Sequence, residues 1–228
     1  MTKPDHRIAV AAQRREKMHA RLVEATIFVI AAKGPAGAVI DDIITEAGVS
    51  RGTFYKYFAT VNDVLLAAKI ALKDELIHLV MQADQTSKDP AAAVALSILR
   101  FMATFHRYPL IGQFAAQLGV DEPGGPSAAI QDVAPRLLAW GLETGRFCPM
   151  PDYLACYFLQ AGVMGVLQRE RDGYQTDRAA AVAALLRLLG VPHAEAEVLS
   201  HQPCDPLDAP ADSLIARAEA VRQQHAPD

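Results

Sequence analysis

The densest group of side chains able to do chemistry is the run Ser50-Arg51-Gly52-Thr53-Phe54-Tyr55-Lys56-Tyr57. An arginine fork can bond a guanine edge, the Thr53 and Tyr55 hydroxyls can bond phosphate oxygens, and Lys56 adds a point charge. Gly52 carries no side chain, so backbone there can come close to a duplex. No nucleophile elbow, phosphate loop or HExxH stands in the 228 residues, so an enzyme would have to be built from scattered groups and none is expected. His193, Glu195, His201, Cys204 and Asp205 are metal-ligand types, but their spacing matches no known site. Neither a metal nor a cofactor is expected.

For the polar residues of that run to face outward, its apolar residues must anchor it. Phe54 and Phe58, four residues apart, share one helical face. Ser50 reads as an N-cap accepting from the Thr53 amide, with Val49 stapled onto Phe54, so a helix starts at Arg51. Before it, Ile40, Ile43, Ile44 and Ala47 mark a helix of about two turns, ended by Gly48. Two short helices joined by a tight glycine turn match the helix-turn-helix arrangement. A longer helix, about residues 9–33, precedes them on Met18, Leu22, Ala25, Phe28 or Val29, and Ala32, and Gly34-Pro35 stops it. Thr60 is placed to cap a fourth helix reaching about Ala83.

Downstream the pattern stays helical. Asp89-Pro90 opens a helix to about Tyr108, Pro109 interrupts it before residues 110–118, and residues 121–126 form a loop. Further helices cover about 127–143, 152–171 and 176–189. The last two are apolar on almost every side, which predicts a four-helix seam between two copies. Leu159, Val163, Val166, Ala183, Leu186 and Leu189 are its candidate residues, with Gly162 and Gly165 allowing close approach. Phe101, Met102, Phe105 and His106, together with Phe114, Trp140, Tyr157 and Met164, are candidates to line an apolar ligand pocket. After Gly190 the chain turns polar and proline-rich before a weak helix at about 211–224, expected to be docked or only partly ordered. The expected division is a DNA-binding head at 1–59, an effector-binding and dimerisation body at 60–200, and a tail at 201–228.

The composition, 51% hydrophobic and 21% charged without a low-complexity block, is that of a folded protein. A net charge of −4 alone argues against nucleic acid, but its distribution argues the other way. Residues 1–58 hold nine Lys/Arg and six Asp/Glu, a balance of +3, which leaves −7 for the rest. A basic head on an acidic body is expected where only the head approaches phosphates. Arg14-Arg15 interrupts the short apolar stretch after Ile8, so no signal peptide is read and a cytoplasmic location is expected. The longest apolar run, residues 153–167, falls short of the roughly 20 residues a bilayer crossing needs. Three cysteines without a CxxC pair read as reduced, mostly buried thiols.

The run Ile40-Asp41-Asp42-Ile43 to Ala47-Gly48-Val49-Ser50-Arg51-Gly52-Thr53-Phe54-Tyr55-Lys56-Tyr57-Phe58 resembles the signature of the TetR family of bacterial transcriptional regulators. The likeness covers about residues 14–66, and the remainder is similar in helical pattern and length. It implies an all-α fold: an N-terminal three-helix helix-turn-helix DNA-binding domain plus a larger helical ligand-binding and dimerisation domain. It also implies phosphate contacts at Thr53, Tyr55 and Tyr57, and base reading at Arg51 and Gly52. Two positions depart from the family. Val39 stands where a Thr or Ser often caps the second helix, and Val61 replaces a Lys that commonly follows the cap of the fourth. Losing one phosphate contact lowers the salt slope by about 0.9, and the basic stretch 7–21 is a candidate to compensate. The expected function is a homodimeric repressor of a double-stranded palindromic operator, released by a small, largely apolar effector. The alternatives are an effector-independent or protein-partnered regulator, such as an activator, and a small helical enzyme.

Overall fold

Caps and glycines set where the helices of this chain start and stop. The computed structural model describes residues 3–34, 39–83, 87–112 and 128–225, the side chains of 3–8 and 128–133 excepted, and among these there is no strand. The backbone divides into two units, Met1–Leu72 with Ala211–Asp228, and Lys73–Pro210.

In the first unit, α1 (Lys3–Lys33) begins earlier than periodicity predicts, because Pro4 is tolerated in a first helical turn and no breaker follows it. Gly34, at φ 73°, lets the chain leave it. Helix α2 (Ile40–Ala47) has no side-chain cap, as Val39 implies, and places Asp41 and Asp42 in its first turn. Helix α3 (Arg51–Phe54) follows, then α4 (Val61–Ala83), of which the residues up to Leu72 belong to this unit and the rest to the second. Thr60 and Asp63 form a reciprocal capping box: the Asp63 amide donates to Thr60 Oγ1 at 3.2 Å and the Thr60 amide to Asp63 Oδ2 at 2.8 Å. Leu22, Ile27 and Ile30 of α1, Ile43 of α2, Phe54, and Val64 and Ala68 of α4 are fully buried.

Helix α5 (Pro90–Arg107) starts where expected, with the Asp89 carboxylate accepting from the Ala92 amide. A helical stretch runs from Pro109 to Gly112; the rest of the predicted segment 110–118 and the predicted loop 121–126 lie outside the described residues. Helices α6 (Ala128–Glu143), α7 (Asp152–Arg171), α8 (Arg178–Leu188) and α9 (His193–Ser200) complete the second unit. Helix α9 is absent from the sequence expectation, and packs on α8 and α5 through Ala196 and Ser200. The proline-rich stretch is pinned as well: Leu207 N donates to Thr104 Oγ1 at 3.0 Å and Ala209 N to the Tyr108 hydroxyl at 2.7 Å. The last helix, α10 (Leu214–Gln224), packs on α1 within the first unit, burying Ile215 and Ala218, with Arg217 paired to Glu24.

Arg146 holds three parts of the second unit together. It bonds Asp89, the cap of α5, at 2.6 Å and Glu195 in the first turn of α9 at 2.7 Å. The Arg146 hydrogen bond is the main reason the Asp89 carboxyl sits below its ordinary value of 3.8. Burial pushes Glu170 upward, yet hydrogen bonds from Arg178 and Thr176 and the charges of Arg178 and His106 outweigh it and hold this carboxyl below 4.5. Both groups therefore stabilise the fold above their ordinary values and lose that contribution as pH falls through the lower folded values. Arg146→Met should destabilise the chain at neutral pH by about 1–2 kcal/mol. It should also flatten the loss of stability below pH 3.8, read from thermal midpoints across an acid series.

Candidate functional site

The turn between α2 and α3 is built by one glycine. Gly48 lies at φ 60° and ψ 44°, and the amides of Gly48 and Val49 return to the Thr45 and Ile44 carbonyls at 3.1 and 3.0 Å. A Cβ at Gly48 would stand 2.9 Å from an Arg21 guanidinium nitrogen, so the turn and α1 approach closely there. Ser50 caps α3 as its position implies, accepting from the Thr53 amide at 3.1 Å and lying 2.9 Å from the Thr53 hydroxyl. Backbone bonds from Tyr55, Tyr57 and Phe58 to Arg51 and Phe54 continue the helical turn past Phe54.

Phe54 and Phe58 are the anchors, both buried with ring centroids 6.0 Å apart, and the His19 ring lies 4.7 Å from Phe58. That burial turns the other residues outward. Ser50, Arg51, Gly52, Tyr55 and Lys56 are exposed, and Thr53 and Tyr57 are half-buried. The seven residues expected to meet DNA thus share one short solvent-facing surface. A Cβ added at Gly52 would meet only the Ser50 hydroxyl, at 3.9 Å. Nothing in the fold requires a glycine at that position.

The sequence reading misses the partner of Arg51. Its Nη2 donates to Asp41 Oδ1 at 2.8 Å, both side chains being more than half exposed. An exposed pair of this kind contributes about 0–1 kcal/mol, so a guanine edge can compete for the fork. The Asp41 carboxylate also opposes any approaching phosphate. Asp41→Asn should therefore strengthen binding to duplexes of any sequence several-fold at low salt, with a smaller effect on operator preference. Fluorescence anisotropy with operator and unrelated duplexes checks this; weaker binding to both would instead make Asp41 the group that orients Arg51.

The second unit contains a cavity of about 150 Å³ with an almost wholly apolar lining. Ile77, Val80 and Met81 of α4, Ile98 and Phe101 of α5, Ala134 of α6, and Leu159, Val163 and Met164 of α7 form its walls. Lys73, Ser97, Cys156 and Gln160 are the lining residues with polar atoms. Of the residues expected around a ligand, Phe101 and Met164 are there. Met102 is buried in the core, and Phe105 packs against that core. Tyr157 is 66% exposed, Trp140 is not among the lining residues, and Phe114 lies outside the described residues. His106 is held elsewhere, its Nδ1 2.8 Å from the Met102 carbonyl and its Nε2 3.0 Å from Glu170 and from Arg178.

The six residues expected at the seam divide likewise. Ala183, Leu186 and Leu189 are buried in this chain's own core, Val163 is buried beside the cavity, and Leu159 and Val166 are half-buried. Leu185 occupies the space a Cβ of Gly162 would need, at 2.6 Å, whereas Gly165 faces open space. The outward face of α7 instead carries Tyr153, Tyr157 and Phe158, and that of α8 Leu188. The three cysteines are free thiols, but contrary to expectation none is fully buried: Cys148 is exposed, and Cys156 and Cys204 are half-buried. Among the described residues no three His, Cys, Asp or Glu side chains gather as a metal site would require, and no helix is long and apolar enough to cross a membrane.

Residues 22–68 match the model of the bacterial regulatory proteins of the tetR family, and residues 89–202 match that of the tetracyclin repressor-like C-terminal domain. Uncharacterized HTH-type transcriptional regulators of Mycobacterium tuberculosis and Mycobacterium bovis are 39% identical over 90 residues, 39% of this chain and 46% of theirs. The chain thus matches somewhat under half the length of these curated relatives. RolR, solved in complex with its ligand resorcinol, is 28% identical with a TM-score of 0.70, covering 86% of this chain and all of that one. FadR from Bacillus subtilis, solved with stearoyl-CoA, is 18% identical with a TM-score of 0.54 over 75% of this chain and 96% of its own, and shows the fold alone. With family models matching its head and half its length beyond, this chain belongs to the TetR family of bacterial regulatory proteins.

Proposed function

We propose that this chain is a homodimeric DNA-binding repressor of transcription, released from a palindromic operator when a small, largely apolar effector fills the cavity of the second unit. The Ser50-capped helix α3 carries the reading: Phe54 and Phe58 hold it from behind while Arg51, Gly52, Tyr55 and Lys56 face solvent. A dimer brings two such helices to successive major grooves, about 34 Å apart. The exposed aromatic face of α7 with Leu188 of α8 is the surface we assign to that dimer.

The volume of the cavity guides the size of the effector we propose. At about 150 Å³ it is smaller than the roughly 300 Å³ at which drug-sized ligand pockets begin. An apolar cavity of ~150 Å³ accommodates one benzene ring. RolR, over a quarter identical, is the protein solved with the single-ring ligand resorcinol. A one-ring effector bearing one or two polar groups fits both observations, with Ser97, Gln160 and Lys73 as the polar groups nearest to it. Helix α4 lines the cavity and also contributes residues to the first unit, so it is the element we assign to transmission. The shift an effector produces is bounded by its differential affinity for the two states; moving 1:99 to 99:1 takes about 5.5 kcal/mol.

Titrating phenol, resorcinol and stearoyl-CoA into the chain bound to a selected operator tests this. Single rings should release the duplex and raise the thermal midpoint, the acyl thioester should not, and Val163→Phe, which fills the cavity, should abolish release while leaving operator binding. Release unchanged in the Val163→Phe variant, or none by any ring, would favour an effector-independent regulator.

A further inference from the structure

Helix α1 has two halves of different character. From Leu22 onward it is core: Leu22, Val23, Ala25, Ile27 and Ile30 are buried. Before Leu22 the side chains of residues 9–21 are exposed, with only Val10 and Met18 half-covered. The family model also begins at residue 22, so this half is additional to the part of the head it describes. Lys3 to Arg21 is 19 residues of continuous helix, about 28 Å at 1.5 Å per residue.

That half is rich in cations, and three of them are aligned. Arg14, Lys17 and Arg21 stand three and four residues apart and so share one face. Arg15 and Glu16 stand on other sides. Among the described residues none of these three cations is in an ion pair, and the stripe ends at the Gly48 turn, where the Arg21 guanidinium lies. In register, Lys3 and Arg7 fall on the same stripe.

We infer that the exposed half of α1 is a second nucleic-acid surface, which lies along the phosphate backbone flanking each half-site and extends the footprint beyond the groove α3 enters. The inference rests on the DNA-binding reading above. A row of cations with about one positive charge per turn matches a polyanion, and its continuity with the helix-turn-helix surface fixes which one. A membrane surface would need large apolar residues opposite the cations; here Ala9, Ala12, Gln13, Arg15 and Glu16 are the exposed residues off the stripe. A second copy of the same stripe would be repelled. The surface is sequence-indifferent, since backbone contacts position a protein without reading bases. It supplies cations that the Val61 position does not.

The test compares the full chain with Arg14→Ala/Lys17→Ala on two duplexes, one ending at the border of a selected operator and one carrying about 10 further base pairs on each side. The wild type should bind the longer duplex more tightly. The double variant should lose that gain, and its log Kd against log salt slope should shrink by about 1.8, or 0.9 per contact, while base preference stays intact. Arg14→Lys/Lys17→Arg should restore both. An unchanged slope and flank gain in the double variant would overturn the inference while leaving the regulator reading in place. A wild type with no preference among duplexes would overturn both, and so would binding of phosphatidylserine vesicles through these residues with duplex binding indifferent to them.

Discussion

Arg51→Ala weakens operator binding by about 1–3 kcal/mol, roughly 5- to 150-fold, and relaxes base preference at one position in each half-site. The size follows from chemistry a single guanidinium supplies: two parallel donors matched to the two acceptors of a guanine edge. Arg51→Lys keeps the charge and loses the fork, so it should recover affinity for all sequences but not the lost discrimination. Anisotropy against single-base variants of the operator reads both quantities, and an equal loss on every sequence would reassign Arg51 to a phosphate. Gly52→Ala is the companion measurement. The fold has open space for its methyl, with only the Ser50 hydroxyl at 3.9 Å, so stability should hold or rise by up to about 1 kcal/mol. A variant that is as stable but binds DNA poorly locates the clash on the duplex itself.

Tyr157→Asp on the exposed face of α7 should convert the chain to monomers and lower operator affinity by about 10²- to 10⁴-fold, the gain that linking two half-site contacts provides. Tyr157 is 66% exposed in the single chain, so the substitution leaves the protomer's own core alone. Sedimentation and operator binding should change together while the protomer keeps its helical content. Leu186→Ala makes the contrast: Leu186 is fully buried, and its loss should cost about 2–5 kcal/mol of stability. A dimer that survives Tyr157→Asp would move the interface elsewhere.

The helix-turn-helix was legible in the sequence because local chemistry specifies it. Ser50 and Thr60 cap, Gly48 turns, and Phe54 with Phe58 fixes which way Arg51 and Lys56 point, all within a few residues of one another. The Arg51–Asp41 pair escaped notice since it joins two helices across a turn. The body was legible in its helices but not in their rotation. Helices α7 and α8 are apolar nearly all round, so period alone cannot say that Ala183, Leu186 and Leu189 face this chain's own core and Tyr153 and Tyr157 do not. The cavity was legible only in part for a related reason: Phe101 and Met164 line it, whereas Met102 fills the core, and periodicity does not show which large side chains border the small ones, Ser97, Ala134 and Cys156, beside which it opens. Helix α9 has eight residues, buries only Ala196 and Ser200, and starts after a proline without a side-chain cap, so it gave no periodic signal.

Selection of bound fragments from random duplexes, followed by footprinting of the enriched sequence, bears most directly on the assignment of α3 as a DNA reader. Two inverted half-sites should emerge, centred one helical turn or slightly more apart, about 34 Å, with protection over both and loss of enrichment for Arg51→Ala. A pool that remains random, or a single unrepeated site indifferent to Arg51, would contradict it.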